Sequence, residues 1–197
     1  VARSRCGPAG AGTRQAGQRL RLSLVSDSSL ALQRLAVSRL APVLPVLSEL
    51  GAAFAAAGHE LALVGGPVRD AFLGRVSADL DFTTSARPEQ SQAILGAWGT
   101  ATWDMGRAFG TIGARRGEVV VEVTTYRADA YDGVTRKPVV AFGDSLVEDL
   151  VRRDFTVNAM ALALPELTFV DPHGGLPDLA AKVLRTPSTP EVSFGDD

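Results

Sequence analysis

Leu61-Ala62-Leu63-Val64-Gly65-Gly66-Pro67-Val68-Arg69-Asp70, with Asp79-Leu80-Asp81-Phe82-Thr83 close behind it, is the stretch from which the fold is read. Four uninterrupted apolar residues make a short buried strand. Gly65-Gly66 turns that strand into a helix opening on Pro67, where a missing N–H costs nothing, and the helix is expected to end at Gly74. A second strand, Asp79 to Thr83, follows at once. Strand, glycine turn, helix and strand in this order predict a mixed α/β fold.

The same stretch carries chemistry. Asp79 and Asp81 lie two apart on a strand, so their carboxylates leave the same face and repel unless a cation sits between them. An oxygen-only ligand set suits Mg²⁺, which keeps waters and takes substrate phosphates. Read alone, such a pair is equally a solvated strand face. Gly65-Gly66 leaves room for backbone to approach a phosphate, with Arg69 one turn into the helix and Asp70 beside it to orient that side chain or cap the adjoining backbone. It is neither a Walker loop nor a dinucleotide fingerprint; its bland alternative is a tight turn.

Upstream, Leu30–Leu40 and Val43–Ala57 repeat apolar residues at helical spacing, separated by prolines and ended by Gly58. Residues 1–29, rich in Gly, Arg and Ser, read as a flexible leader. Downstream, the pattern predicts a helix from Pro88 to Trp98 and a hairpin of Thr111–Arg115 with Val119–Thr125 across Arg116-Gly117. Glu122 interrupts the valines of that second strand, either as one wet position or as a third carboxylate beside the aspartate pair. The loop over 127–144 is long enough to be functional. From Ser145 a helix is expected through Leu164, interrupted near Asp154, then a strand at Thr168–Val170 and a turn at Gly174-Gly175. Within it, Arg152-Arg153-Asp154-Phe155-Thr156-Val157-Asn158 joins guanidinium forks suited to phosphate with Asp154 and Asn158, four apart and able to face one ligand. The alternative is a solvated helix face.

Composition bounds these readings. With 197 residues and 46% hydrophobic content, the chain suits one packed domain plus a remainder. Cys6 is the only cysteine and His59 and His173 the only histidines, which excludes internal disulfides and Cys- or His-rich metal sites, and fits a reducing, cytoplasmic setting. No apolar run approaches the ~20 residues of a membrane span. Residues 1–40 carry a net charge of +6 and residues 41–197 one of −8.

Four segments in order, Leu63 to Asp70, Asp79 to Thr83, Val121 to Arg127 and Arg152 to Ala159, resemble the catalytic head of bacterial class II tRNA nucleotidyltransferases, the CCA-adding enzymes and their poly(A) polymerase relatives. The resemblance runs over about residues 45–197. It implies a nucleotidyltransferase head of the polymerase β superfamily, a mixed sheet flanked by helices, that adds CMP and AMP from CTP and ATP to a tRNA 3′ end by two-metal phosphoryl transfer. On this likeness Asp79 and Asp81, with Glu122, are catalytic and hold Mg²⁺, while Gly65, Gly66, Arg69, Asp70, Arg153, Asp154 and Asn158 bind the nucleotide. A leader at 1–29, a head at 30–165 and the start of a connection at 166–197 are the expected divisions. Asp171-Pro172-His173-Gly174-Gly175 resembles the family's way out of the head. The chain is therefore expected to be a fragment that keeps metal and triphosphate contacts without accurate choice of C or A. Within the same class, a poly(A) polymerase or a CC-only or A-only enzyme is the alternative; outside it, a non-catalytic nucleotide- or RNA-binding module, and more distantly a dinucleotide-binding oxidoreductase.

Overall fold

The computed structural model describes residues 30–75, 79–106, 110–130 and 139–188. The leader expected at 1–29 lies outside them, as does the 131–138 part of the long loop.

Two helices lead in. α1 (Leu30–Arg39) and α2 (Leu44–Ala56) meet at 101° where the prolines fall. Helical spacing puts Val46, Leu47, Leu50, Gly51 and Phe54 of α2 on one buried face. Gly58, at φ 79°, ends α2, and the His59 N–H donates to the Phe54 carbonyl at 2.9 Å. No single helix among the described residues is long and apolar enough to cross a membrane.

β1 (Leu61–Val64), buried at every residue, runs antiparallel to both β2 (Leu80–Thr84) and β8 (Ala161–Leu164). Between β1 and β2 lies α3 (Gly66–Phe72), which starts at the glycine turn. β2 pairs in parallel with β5 (Val119–Thr125), and β4 (Thr111–Arg116) and β3 (Ala101–Gly106) extend that side by antiparallel pairing. β9 (Thr168–Val170) closes the other edge, giving a seven-stranded mixed sheet in the order β3-β4-β5-β2-β1-β8-β9. β6 (Arg127–Ala130) and β7 (Val139–Phe142) form a separate two-stranded ladder from the two ends of the long loop.

Strand alternation divides the sheet into two unlike faces. Leu61, Leu63, Leu80, Phe82, Val121 and Val123 point to the main core, where α2 and Leu95 of α4 (Pro88–Trp98) cover them. Fully burying each such side chain is worth about 1.5–3 kcal/mol. On the opposite face Ala62 and Val64 pack with Ala159, Ala161 and Leu150 of α5 (Leu146–Val151). That face also carries Asp81, Thr83, Glu122 and Thr124, so the polar residues of β2 and β5 share one side of the sheet.

The mixed sheet with flanking helices is the fold class expected from sequence. Several elements differ, among them the β6–β7 ladder within the stretch expected as a loop. The expected helix from Ser145 to Leu164 is instead α5, a 3-10 turn at Thr156–Asn158, and β8. Met160–Leu164 is a short apolar run buried next to β1, and periodicity cannot tell such a run from a helix segment. β3 was not expected either: Ala101, Trp103 and Met105 alternate with Thr102, Asp104 and Gly106, but the run is short and contains Asp and Gly, both depleted in strands. α6 (Gly175–Ala181) follows the Gly174 turn, at φ 73°.

Candidate functional site

Parallel pairing of β2 with β5 sets Asp81 directly beside Glu122, and Thr83 beside Thr124. Asp79 stands just before β2. The three carboxylates feel one another. Glu122 is pushed above the ordinary glutamate value by burial first, then by the charges of Asp81 and Asp79. Asp81 is raised by loss of solvent and by Asp79, while the Arg153 guanidinium pulls it back down. Among the described residues the three do not close into a ready-made metal cluster. What the site does show is crowded, under-neutralised oxygen donors, the set that suits a hard cation completed by waters and substrate phosphate.

A second group forms at the glycine turn. Gly65 takes φ 70° with ψ −128°, which a side chain would strain, and a Cβ there would lie 3.1 Å from Arg153 Nη1. From α3, Arg69 donates through Nη1 to Asn158 Oδ1 at 2.6 Å and through Nε to Asp70 Oδ1 at 3.0 Å. Asn158 Nδ2 in turn donates to both Asp154 oxygens, at 2.9 and 3.1 Å. Asp70, Arg69, Asn158 and Asp154 are thus one chain of contacts tying α3 to the 3-10 turn. The expected helical pair of Asp154 and Asn158 is corrected: they belong to a turn and bond to each other, so Asn158 presents its oxygen to Arg69.

Sequence reading missed Asp149. It is buried at 8% exposure, accepts from Thr83 Oγ1 at 3.1 Å and from the Arg127 N–H at 3.1 Å, and lies 3.7 Å from Arg153 Nη2. One carboxylate therefore joins the strand of the aspartate pair, the root of the β6–β7 ladder and Arg153. Its only sequence signal was the four-residue spacing to Arg153, which any helix surface pair shares. Thr83, Thr124, Arg127, Asp149, Arg152 and Arg153 line a cavity of about 260 Å³. A larger cavity, about 390 Å³, lies among α1, α3 and β8; Val37, Leu40, Ala71, Phe72 and Leu162 make its wall mostly apolar, with Arg34 also on its lining.

Residues 61–185 match the family model described as the poly A polymerase head domain. The CCA-adding enzyme of Bacillus velezensis is 39% identical over 155 residues, 78% of this chain and 37% of that protein. That of Streptococcus suis is 41% identical over 155 residues, 78% of this chain and 36% of that protein. The chain thus spans little more than a third of these relatives' length. Among solved structures, the Bacillus stearothermophilus CCA-adding enzyme in complex with CTP aligns at 35% identity with a TM-score of 0.66, over 81% of this chain and 36% of that one. A tRNA nucleotidyltransferase complexed with a primer tRNA and an incoming ATP analog aligns at 34% identity with a TM-score of 0.58, over 75% of this chain and 41% of that one.

Proposed function

The chain belongs to the poly(A) polymerase head-domain family, among the class II CCA-adding enzymes, and from that premise we propose that it is a cytoplasmic nucleotidyltransferase head transferring CMP and AMP from CTP and ATP to a tRNA 3′ end. The observation that supports this best is the register that sets Asp81 beside Glu122, with Asp79 and Arg153 close enough to shift the Asp81 carboxyl.

In this reading Asp79 and Asp81 hold Mg²⁺, with Glu122 as a further donor. Bound there, the metal would lower the pKa of the RNA 3′-hydroxyl and neutralise charge on the phosphates. The oxygen of that hydroxyl attacks the α-phosphorus, one P–O bond forms, the α–β bridge breaks and pyrophosphate leaves. The bare backbone at Gly65 and Gly66 admits the phosphates. Arg69, held from two sides by Asp70 and Asn158, presents an oriented guanidinium, so little ordering remains to be done when nucleotide arrives. Arg153 lies between the glycine turn and Asp81, where it can follow charge passing from the triphosphate to the leaving group.

Incubation with radiolabelled CTP or ATP and a tRNA lacking its terminal CCA tests the proposal. Label should enter the RNA with the wild-type chain and fall by at least about 10²-fold when Asp79 or Asp81 is replaced by Ala. Equal incorporation by wild type and both variants would refute it.

A further inference from the structure

Arg153 reaches both halves of the site. A Cβ on Gly65 would lie 3.1 Å from its Nη1, and its charge draws down the Asp81 carboxyl. A guanidinium between a turn suited to phosphate and a carboxylate suited to a cation can serve either, and what holds it decides which. Little holds it. Its Nε is buried without a hydrogen-bond partner, and among the described residues its one ion-pair partner is Asp149, with Nη2 3.7 Å from Oδ2.

Asp149 is itself fixed. It is buried on α5, and two elements distant in sequence grip it: Oδ2 accepts from the Thr83 hydroxyl and Oδ1 from the Arg127 N–H, each at 3.1 Å. Thr83 follows Asp81 on the same face of β2. The carboxylate is thus anchored to the strand that carries Asp81. An anchored charge orients an arginine more narrowly than a mobile surface partner does, because one side chain fewer has to be ordered. The hydrogen bonds alone do not require a charge. Thr83 Oγ1 has the Thr124 carbonyl at 3.2 Å as another acceptor, so an asparagine at position 149 could donate to Thr83 while its oxygen kept the Arg127 N–H. What an amide cannot supply is attraction for Arg153. We infer that Asp149 is a positioning residue for nucleotidyl transfer: its charge turns the Arg153 guanidinium toward the glycine turn, where the nucleotide phosphates would lie, and keeps it from closing on Asp81. This inference rests on the nucleotidyl-transfer reading above and adds a residue that acts through another.

The 197-residue chain is titrated with CTP in Mg²⁺ buffer, alongside Asp149→Asn, Arg153→Ala and the double variant. Asp149→Asn should weaken CTP binding about 5–10-fold and Arg153→Ala at least as much. The double variant should match Arg153→Ala within about twofold, because a residue that acts through Arg153 then has nothing left to position. A nitrogen-labelled chain gives a second readout by NMR. The two Nη resonances of Arg153, assigned by their loss in Arg153→Ala, should be separate in wild type, as for a guanidinium that does not turn, and should merge in Asp149→Asn. The wild-type spectrum keeps the test open if Asp149→Asn does not fold: merged resonances there would overturn the inference. So would CTP affinity that Asp149→Asn leaves unchanged, or a loss equally large with and without Arg153, which is the mark of a purely structural role. In each of these cases a wild-type chain that still takes CTP leaves the nucleotidyl-transfer reading standing; a wild-type chain that takes no CTP sinks both.

Discussion

At the scale of single residues, the determining fact is a cost. Asp81 and Glu122 are held side by side by parallel strand pairing, and each keeps its proton to a higher pH than an ordinary carboxyl. A raised acid stabilises the folded chain below the ordinary carboxylate range, and that contribution disappears as pH rises through the raised value. Near neutral pH the metal-free protein therefore carries the repulsion in full. Glu122→Gln should raise Tm at pH 7 in the presence of EDTA by about 1–2 °C, a small shift because the side chain is only half-buried and solvent screens it. The gain should vanish below pH 4. Thermal melts over that range check the sign; a lower Tm at pH 7 would mean that Glu122 is paired rather than crowded. Added Mg²⁺ should raise the Tm of wild type by mass action and leave an Asp79→Ala, Asp81→Ala double variant unmoved. The face of Asp81 was legible from sequence because alternation along a strand fixes it, although β2 begins at Leu80 and leaves Asp79 just before the strand. Asp149 was not, since its burial and its contacts with Thr83 and Arg127 come from chain segments far apart in sequence.

Among elements, the glycine turn and the 3-10 turn are the parts that bring the site together. Gly65→Ala would put a Cβ at positive φ and 3.1 Å from Arg153 Nη1. The expected cost is about 1–3 kcal/mol of stability, with weaker CTP binding in a direct titration; unchanged affinity would show that Arg153 can move aside freely. α6 braces the 3-10 turn from behind. Thr156 Oγ1 donates to Asp178 Oδ2 at 2.7 Å, Asp178 pairs with Arg185 at 3.3 Å, and the Thr156 N–H donates to the Arg185 carbonyl at 2.7 Å. Thr156→Val leaves the buried Asp178 short of a donor and should cost about 1–3 kcal/mol in denaturant unfolding. The β1–α3–β2 unit was readable because glycine, proline and a compact apolar run each constrain the backbone locally. β8 was not: Ala161, Leu162 and Leu164 are apolar whichever element they form, and pairing with β1, about a hundred residues away in sequence, decides the matter.

For the whole molecule, charge sets how RNA can be held. Residues 41–197 carry a net charge of −8, so a broad basic surface for a polyanion is not what the composition supplies. The crowded carboxylates of Asp79, Asp81 and Glu122 moreover repel a strand that lacks an accompanying cation. Two consequences follow for binding. An acidic body offers few phosphate contacts, so log affinity for a short single strand should fall only shallowly with log salt, at a slope of about −1.4 if two phosphates are neutralised. Mg²⁺ should also tighten that binding, because it neutralises the carboxylates next to the 3′ end, whereas for a basic RNA-binding surface it competes with the protein for phosphate. A salt series run with and without Mg²⁺ separates the two behaviours. A slope steeper than about −3, together with weaker binding in Mg²⁺, would mean that RNA is gripped by a distributed basic surface rather than through a cation at the carboxylates.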